Sequence, residues 1–350
     1  MKRDRLGEIM HCKKNRIFSI LFIISIIVCC GIFSGCKRQA ENRVVLYCSV
    51  DQSIAEPIIA EFERMSGIKV LARYDTEASK TVGLIQKIRA EAASPVADVF
   101  WSGEIFHTIR MAREGLLASY KSEKTGSHPK KFCDPNGLWY GFALRARVIG
   151  YNTQKVSAEE APRSLEDLLD AKWRGKIVMA SPEFGTTGGG VASWFAFYGD
   201  QEAERILRAL KANQIRLVEG NSTAVRMAAT GQADICLTDS DDVYAGVRNG
   251  WPVAMNYLDQ KESGCLAIPN SAAIIKGAPH PEQAAALMDF LLSEKLERML
   301  AESDSHNWPV NVQIQEKFEE YRISKILDLE YERIADKLPE AIKRAREILE

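Results

Sequence analysis

From Val44 onward the apolar positions of this chain alternate between two rhythms, a period of two and a period of three to four, which predict strands and helices in turn. Val44-Val45-Leu46-Tyr47-Cys48 reads as a buried strand. Ile54 to Ser66 follows with helical spacing of Ile58, Ile59 and Phe62, and Gly67 ends it. Ile68 to Tyr74 alternates like a strand, Lys80 to Ala92 is helical, Ala97 to Trp101 is a third short strand, and Ile105 to Glu114 is a helix closed at Gly115. Strand, helix, strand, helix, strand implies a parallel sheet with covering helices. The polar stretch Ser119 to Asn136 reads as a surface loop, and Trp139 to Tyr151 as extended chain.

A second set of units begins near residue 146. Ser164 caps a helix start, and the strand Lys176 to Ala180 runs into a glycine-rich turn, Gly185-Thr186-Thr187-Gly188-Gly189-Gly190, ahead of an apolar helix Val191 to Tyr198. Helices at Gln201 to Ala212 and Thr223 to Thr230 alternate with strands Ile215 to Val218 and Ala233 to Leu237. Cys265 to Ile268 and Ser271 to Lys276 read as a return to the first set, followed by helices Pro281 to Leu292 and Glu294 to Ala301. Ser324 to Glu350 is a charged amphipathic helix, or two helices interrupted at Pro339.

The region before Val44 breaks both rhythms. Lys13, Lys14 and Arg16 precede an apolar run from Ile17 to Ile32, and Ser34-Gly35 precede Cys36, the order of a lipoprotein export signal. That run is about 16 residues, short of the roughly 20 needed to span a bilayer, so a transmembrane anchor is the weaker reading. Residues 1–36 are therefore expected to be a signal with a lipidated Cys36, and 37–43 a tether. The protein is expected in the periplasm or at the cell surface, attached to the membrane by lipid.

Composition narrows the partners. Beyond Gly35 the chain carries 40 Lys or Arg against 45 Asp or Glu, a formal charge of −5 with no basic tract, which argues against nucleic acid. Cys48, Cys133, Cys236 and Cys265 are widely spaced and lack any CxxC pair, which argues against zinc. A disulfide and buried small side chains both remain open. No GxSxG elbow, HExxH or dinucleotide fingerprint is present, so an enzyme is not expected.

Several segments then fall into a known order. Leu46-Tyr47-Cys48-Ser49-Val50, Ser66-Gly67-Ile68-Lys69-Val70, Ala97-Asp98-Val99-Phe100, Glu114-Gly115-Leu116-Leu117, Arg147 to Asn152, Lys172 to Lys176 and Lys276-Gly277-Ala278-Pro279-His280-Pro281 together resemble the solute-binding proteins of ABC importers, in the subgroup typified by ferric-ion-binding proteins. The resemblance implies an α/β fold of the type II periplasmic-binding-protein class: two α/β lobes joined by crossover segments, with a ligand cleft between them. Lobe 1 would be 44–145 plus about 265–308, and lobe 2 would be 146–264 plus about 309–350. It implies iron(III)-transport-like capture of a metal ion with an accompanying anion, release to ABC permease and ATPase subunits, and a monomer. Fe3+ would be the transported ligand and no cofactor is expected.

The resemblance also locates a site, and the residues depart from its usual pattern. Ferric binders use a histidine after the first strand, a glutamate after the third, and two adjacent tyrosines. Here those positions read as Asp51, Glu104 and Asp241-Asp242, with Tyr244 displaced nearby. What remains is a set of hard oxygen donors, Asp51, Glu104, Asp239, Asp241 and Asp242, suited to a metal ion or to an amine-bearing solute. An ordinary helix start with acidic first-turn residues accounts for Asp239 to Asp242 equally well. Thr186, Thr187 and Gly188 offer hydroxyls and amides to an anion, with Arg145, Arg147 and Asn221 able to complete the pocket, although a plain flexible turn would look the same. An organic phosphate or phosphonate whose amine meets the aspartates is the alternative ligand; an enzyme or a structural lipoprotein is a remoter one. Trp101 and Trp139 read as core more than cleft, Glu77 and Ser79 are minor candidates, and His107, His128, His280 and His306 read as surface residues.

Overall fold

The computed structural model describes residues 42–75, 81–183 and 185–350. The segment expected to be an export signal, Cys36, most of the expected tether, Glu77 and Ser79 lie outside the described residues. Within them the chain begins with a parallel core: β1 (Arg43–Cys48) lies between β2 (Lys69–Tyr74) and β3 (Val99–Ser102), pairing Val44 with Val70 and Leu46 with Val99. β1 is buried along nearly its whole length because it is covered on both faces, whereas β2, at the edge, alternates. Helix α1 (Gln52–Ser66) buries Ala55, Ile58, Ile59 and Phe62, one stripe at helical spacing, and ends at Gly67, whose φ of 67° suits glycine. α2 (Val82–Ala90) and α3 (Phe106–Arg113) complete this half.

The long strand β5 (Tyr140–Asn152) belongs to both halves. Its first part pairs antiparallel with β10 (Ala267–Ile275), which in turn pairs with β3 and with the two-residue β4 (Leu117–Ala118). Its second part pairs with β8 (Ile235–Asp239) and β9 (Val253–Tyr257). β6 (Ile177–Ala180) and β7 (Arg216–Val218) extend that half in parallel. The order is β2-β1-β3-β10-β5-β8-β6-β7, so β5 and β10 carry the chain between two α/β lobes.

Opposite Pro269-Asn270 the register of β5 shifts, and Ala143 adopts φ of 46°. A fully buried carboxylate compensates: Glu297, on α9 (Glu294–Glu302), accepts the Ala143 N–H at 2.7 Å, Val310 N–H at 2.9 Å and Asn311 N–H at 2.8 Å. His128 lies 4.0 Å from Glu297 with no exposed side-chain surface, not on the surface as expected, and burial pulls its imidazole down to about 4. The polar stretch around it holds 3-10 turns at Glu123–Ser127 and Lys130–Phe132.

Two further expectations change in the folded chain, and one left open is decided. The glycine-rich segment is not a turn: α4 (Gly185–Tyr198) is helical from its first glycine and buried from Thr186 through Ala196. Its glycines admit close neighbours, since a Cβ on Gly189 would lie 2.1 Å from the Phe106 ring. Second, Cys265 to Lys276 yields one strand, with Pro269 at its irregularity. Third, α10 (Tyr331–Leu349) runs unbroken through Pro339. Pro339 is exposed, while Tyr331, Ile334, Ala335, Leu338, Ala341 and Ala345 form a buried stripe against α3, α4 and α5 (Asp200–Ala212). That packing outweighs the roughly 3 kcal/mol that proline costs inside a helix. The final helix thus touches both lobes, and Arg113 of α3 bonds Asp336 on it.

Trp101 and Trp139 are core, at 0% and 3% exposure. No disulfide joins the four described cysteines; burial pushes the thiols of Cys236 and Cys265 up to about 12 and that of Cys133 to about 11, which keeps these three protonated and inert.

Candidate functional site

The site grows from the point where β8 ends and α7 (Ser240–Arg248) begins. Asp239 closes the strand directly opposite Arg147 of β5, and the register brings them together: Arg147 Nη1 donates to Asp239 Oδ1 at 2.8 Å. The other carboxylate oxygen accepts from the Thr186 hydroxyl at the start of α4 and from Asn221 Nδ2 at 3.0 Å, at the start of α6 (Asn221–Ala229). Asn221 also donates to Thr186 Oγ1 at 3.0 Å and accepts from Thr187 Oγ1 at 3.3 Å. Asp239 is 1% exposed and fully engaged.

Arg145 sits two residues before Arg147 on the same strand face. It donates to Asp241 of α7 and to the Gly103 carbonyl after β3, so one guanidinium joins the two lobes. Burial works against its charge, but Asp241 and Asp239 more than offset this and raise its pKa. Asp241 is 14% exposed at its side chain; burial raises its carboxyl, Arg145 opposes, and Asp239 adds to the rise. Its Oδ1 has no hydrogen-bond partner. Oxygens of Asp239, Asp241 and Asp242 lie within 4.8 Å of one another, a spacing that suits a metal ion.

The opposite wall comes from the first lobe. Glu104, 1% exposed, accepts from the Ser102 hydroxyl at 3.3 Å and from His107 N–H at 3.2 Å in the first turn of α3. His107 Nδ1 adds a contact at 3.2 Å. Behind it runs a hydroxyl chain: Thr81 Oγ1 donates to Ser49 Oγ at 3.1 Å, and Ser49 Oγ to Ser102 Oγ at 3.3 Å. Asp51, at the start of α1, is exposed.

Asp51, Glu104, Arg145, Thr186, Thr187, Asn221, Asp239, Asp241 and Asp242 line one cleft, enclosing about 520 Å³ open to solvent. A second compartment of about 890 Å³ shares Asp51, Arg145, Asp241 and Asp242 with it and extends toward Trp251 and Asn307. Two candidates fall elsewhere. The α-carbon of Gly188 faces Pro182 and Ile342 of α10. Tyr244 sits 3.4 Å from the Tyr257 hydroxyl and against the rings of His306 and Tyr321. Burial raises its phenol pKa, away from the phenolate that binds iron. Sequence reasoning missed Ser49, Thr81, Gly103 and Glu219, which also line the cleft. Ser49, directly after the buried strand and two residues before Asp51, carried a positional signal; Thr81 and Glu219 did not.

Residues 94–333 match the bacterial extracellular solute-binding protein family. This chain belongs to that family. The solute-binding protein is 30% identical over 290 residues to iron uptake protein A2 of Synechocystis, covering 78% of this chain and 80% of that one. It is 27% identical over 271 residues to a putative 2-aminoethylphosphonate-binding periplasmic protein of Salmonella typhi, covering 75% of each. Among solved structures, iron-bound HitA from Pseudomonas aeruginosa superposes with a TM-score of 0.78 at 27% identity, over 87% of this chain and 99% of that one. The fold is that of the type II periplasmic binding proteins.

Proposed function

We propose that this protein is the extracytoplasmic binding component of an ABC importer, capturing ferric ion between its lobes and handing it to a permease. The convergence of Asp241 and Asp242, set beside the engaged Asp239, in a cleft walled on the other side by Asp51 and Glu104 carries this reading. Fe(III) is a hard acid, and carboxylate oxygens suit it where a phenolate pair is lacking. The names of the iron uptake and iron-bound relatives support the same cargo. Donors on both walls make closure a consequence of binding, because the ion gains its full ligand set only when the lobes meet. The periplasmic or cell-surface location and the lipid anchor at Cys36 belong to this proposal.

The 2-aminoethylphosphonate reading draws on two Salmonella relatives and on the mixture of carboxylates and guanidiniums. It is the weaker one, since Arg147, Thr186 and Asn221, the groups best suited to a phosphonate, already hold Asp239. The test is calorimetry of chelator-stripped protein with Fe(III) nitrilotriacetate and with 2-aminoethylphosphonate. Saturable iron binding that is lost in Asp241→Ala/Asp242→Ala is expected; binding of the phosphonate alone would replace this reading with the other.

A further inference from the structure

The sequence offers Thr186, Thr187, Asn221 and Arg147 as a pocket for a free anion, and the structure shows that pocket in use. A guanidinium, a hydroxyl and a side-chain amide converge at the start of two helices on a single carboxylate, that of Asp239. Both oxygens are bonded, one by Arg147 and the other by Thr186 and Asn221, as a bound carbonate or carboxylic acid would be. We infer that Asp239 is a resident anion: it fills the co-ligand pocket from within the chain, so that cargo is captured without an accompanying free anion. This inference rests on the ferric reading for its consequence, though not for the occupancy of the pocket.

Three observations carry it. Asp239 is 1% exposed, so no solute anion shares its partners without expelling it. Backbone register sets Arg147 directly across β5 and β8 from it, so the two side chains are held facing one another, and leaving would break the ion pair and both bonds to the other oxygen. The rest of the cleft, with Asp51, Glu104, Asp241 and Asp242 against Arg145, is already rich in negative charge, and an added anion would meet repulsion rather than an empty cation. The accompanying anion expected from the family resemblance is therefore replaced by a side chain, and Asp239 positions the cargo's ligands instead of competing for a place among them.

The experiment is thermal unfolding of the metal-free protein titrated with formate, bicarbonate and phosphate, with chloride matching ionic strength. The wild type is expected to follow the chloride control with all three. Asp239→Ala empties the pocket while leaving Arg147, Thr186 and Asn221 in place, so formate should raise its melting temperature saturably, by roughly 3 °C at ten times its dissociation constant. A saturable shift of the wild type with bicarbonate or phosphate would overturn the inference, as would a folded Asp239→Ala that ignores formate. If the alanine variant does not fold, Asp239→Ser, whose hydroxyl can take the Asn221 bond, is read by the same criteria. Fe(III) titrations in the same buffers separate the two proposals: wild type that binds no iron sinks the ferric reading and leaves the assignment of Asp239 to the formate result.

Discussion

Removing the Glu297 side chain tests how the crossing between lobes is held. Glu297→Ala would leave the N–H groups of Ala143, Val310 and Asn311 without their acceptor, in a place with no exposed side-chain surface at Glu297. An orphaned buried donor costs about 1–3 kcal/mol, and water entering the space left behind recovers part of that, so a net loss of about 4 kcal/mol is expected. At about 2 °C per kcal/mol for a chain of this size, the melting temperature should fall by roughly 8 °C. Burial raises the Glu297 carboxyl despite its three donors, which means the charge itself opposes folding and the accepted bonds are the contribution. Glu297→Gln, keeping an oxygen for two of the three N–H groups, should therefore lose less than half as much. Differential scanning calorimetry of the three proteins gives the answer. A Glu297→Ala melting temperature within 2 °C of wild type, or a glutamine variant as damaged as the alanine one, would refute the reasoning.

Other expectations follow from the same geometry. His128 has a folded pKa near 4 against about 6.5 unfolded, so the folded state binds fewer protons in between and stability falls as pH drops from about 6.5 toward 4, by up to about 3 kcal/mol; His128→Leu should flatten that slope in urea titrations at several pH values. Gly189→Ala would drive a methyl into the Phe106 ring, where a Cβ comes within 2.1 Å, and overpacking of this kind costs about 1–3 kcal/mol; because the two residues sit on different lobes, small-angle scattering should report a more open molecule. Asp242→Asn, which changes charge and little else, should weaken Fe(III) binding by at least tenfold in a chelator competition, and unchanged affinity would remove Asp242 from the ligand set.

Much of the fold could be read from rhythm alone. The buried stripe Ala55, Ile58, Ile59 and Phe62 of α1 and the apolar run of β1 announce themselves because local pattern and burial agree. β9 does not, since Val253 to Tyr257 is only partly buried beyond its first residue and so shows no alternation. The start of α4 reads as a turn, and α10 stays open between one helix and two, for the opposite reason: glycine and proline are poor helix formers, and packing against distant elements makes those segments helical. The cleft acids were visible as residue types, but the bonds that decide their roles span the chain. Arg147 and Thr186 meet Asp239 from 92 and 53 residues away, and no spacing rule reaches that far.

The crossing itself has a mechanical consequence. β5 passes from one half of the sheet to the other without a break, and where it crosses, Arg147 N–H bonds the Leu266 carbonyl of the returning chain at 2.9 Å. A ribbon of two bonded strands resists shear and stretching but yields readily to torsion. Rotation of one lobe against the other can thus be taken up as winding of this ribbon, with no loop to refold and no peptide bond to isomerise. Arg145 and Arg147 ride on it two residues apart, one reaching to Gly103 and the other to Asp239, so the angle through which the ribbon winds is also the angle between the two walls that grip the cargo.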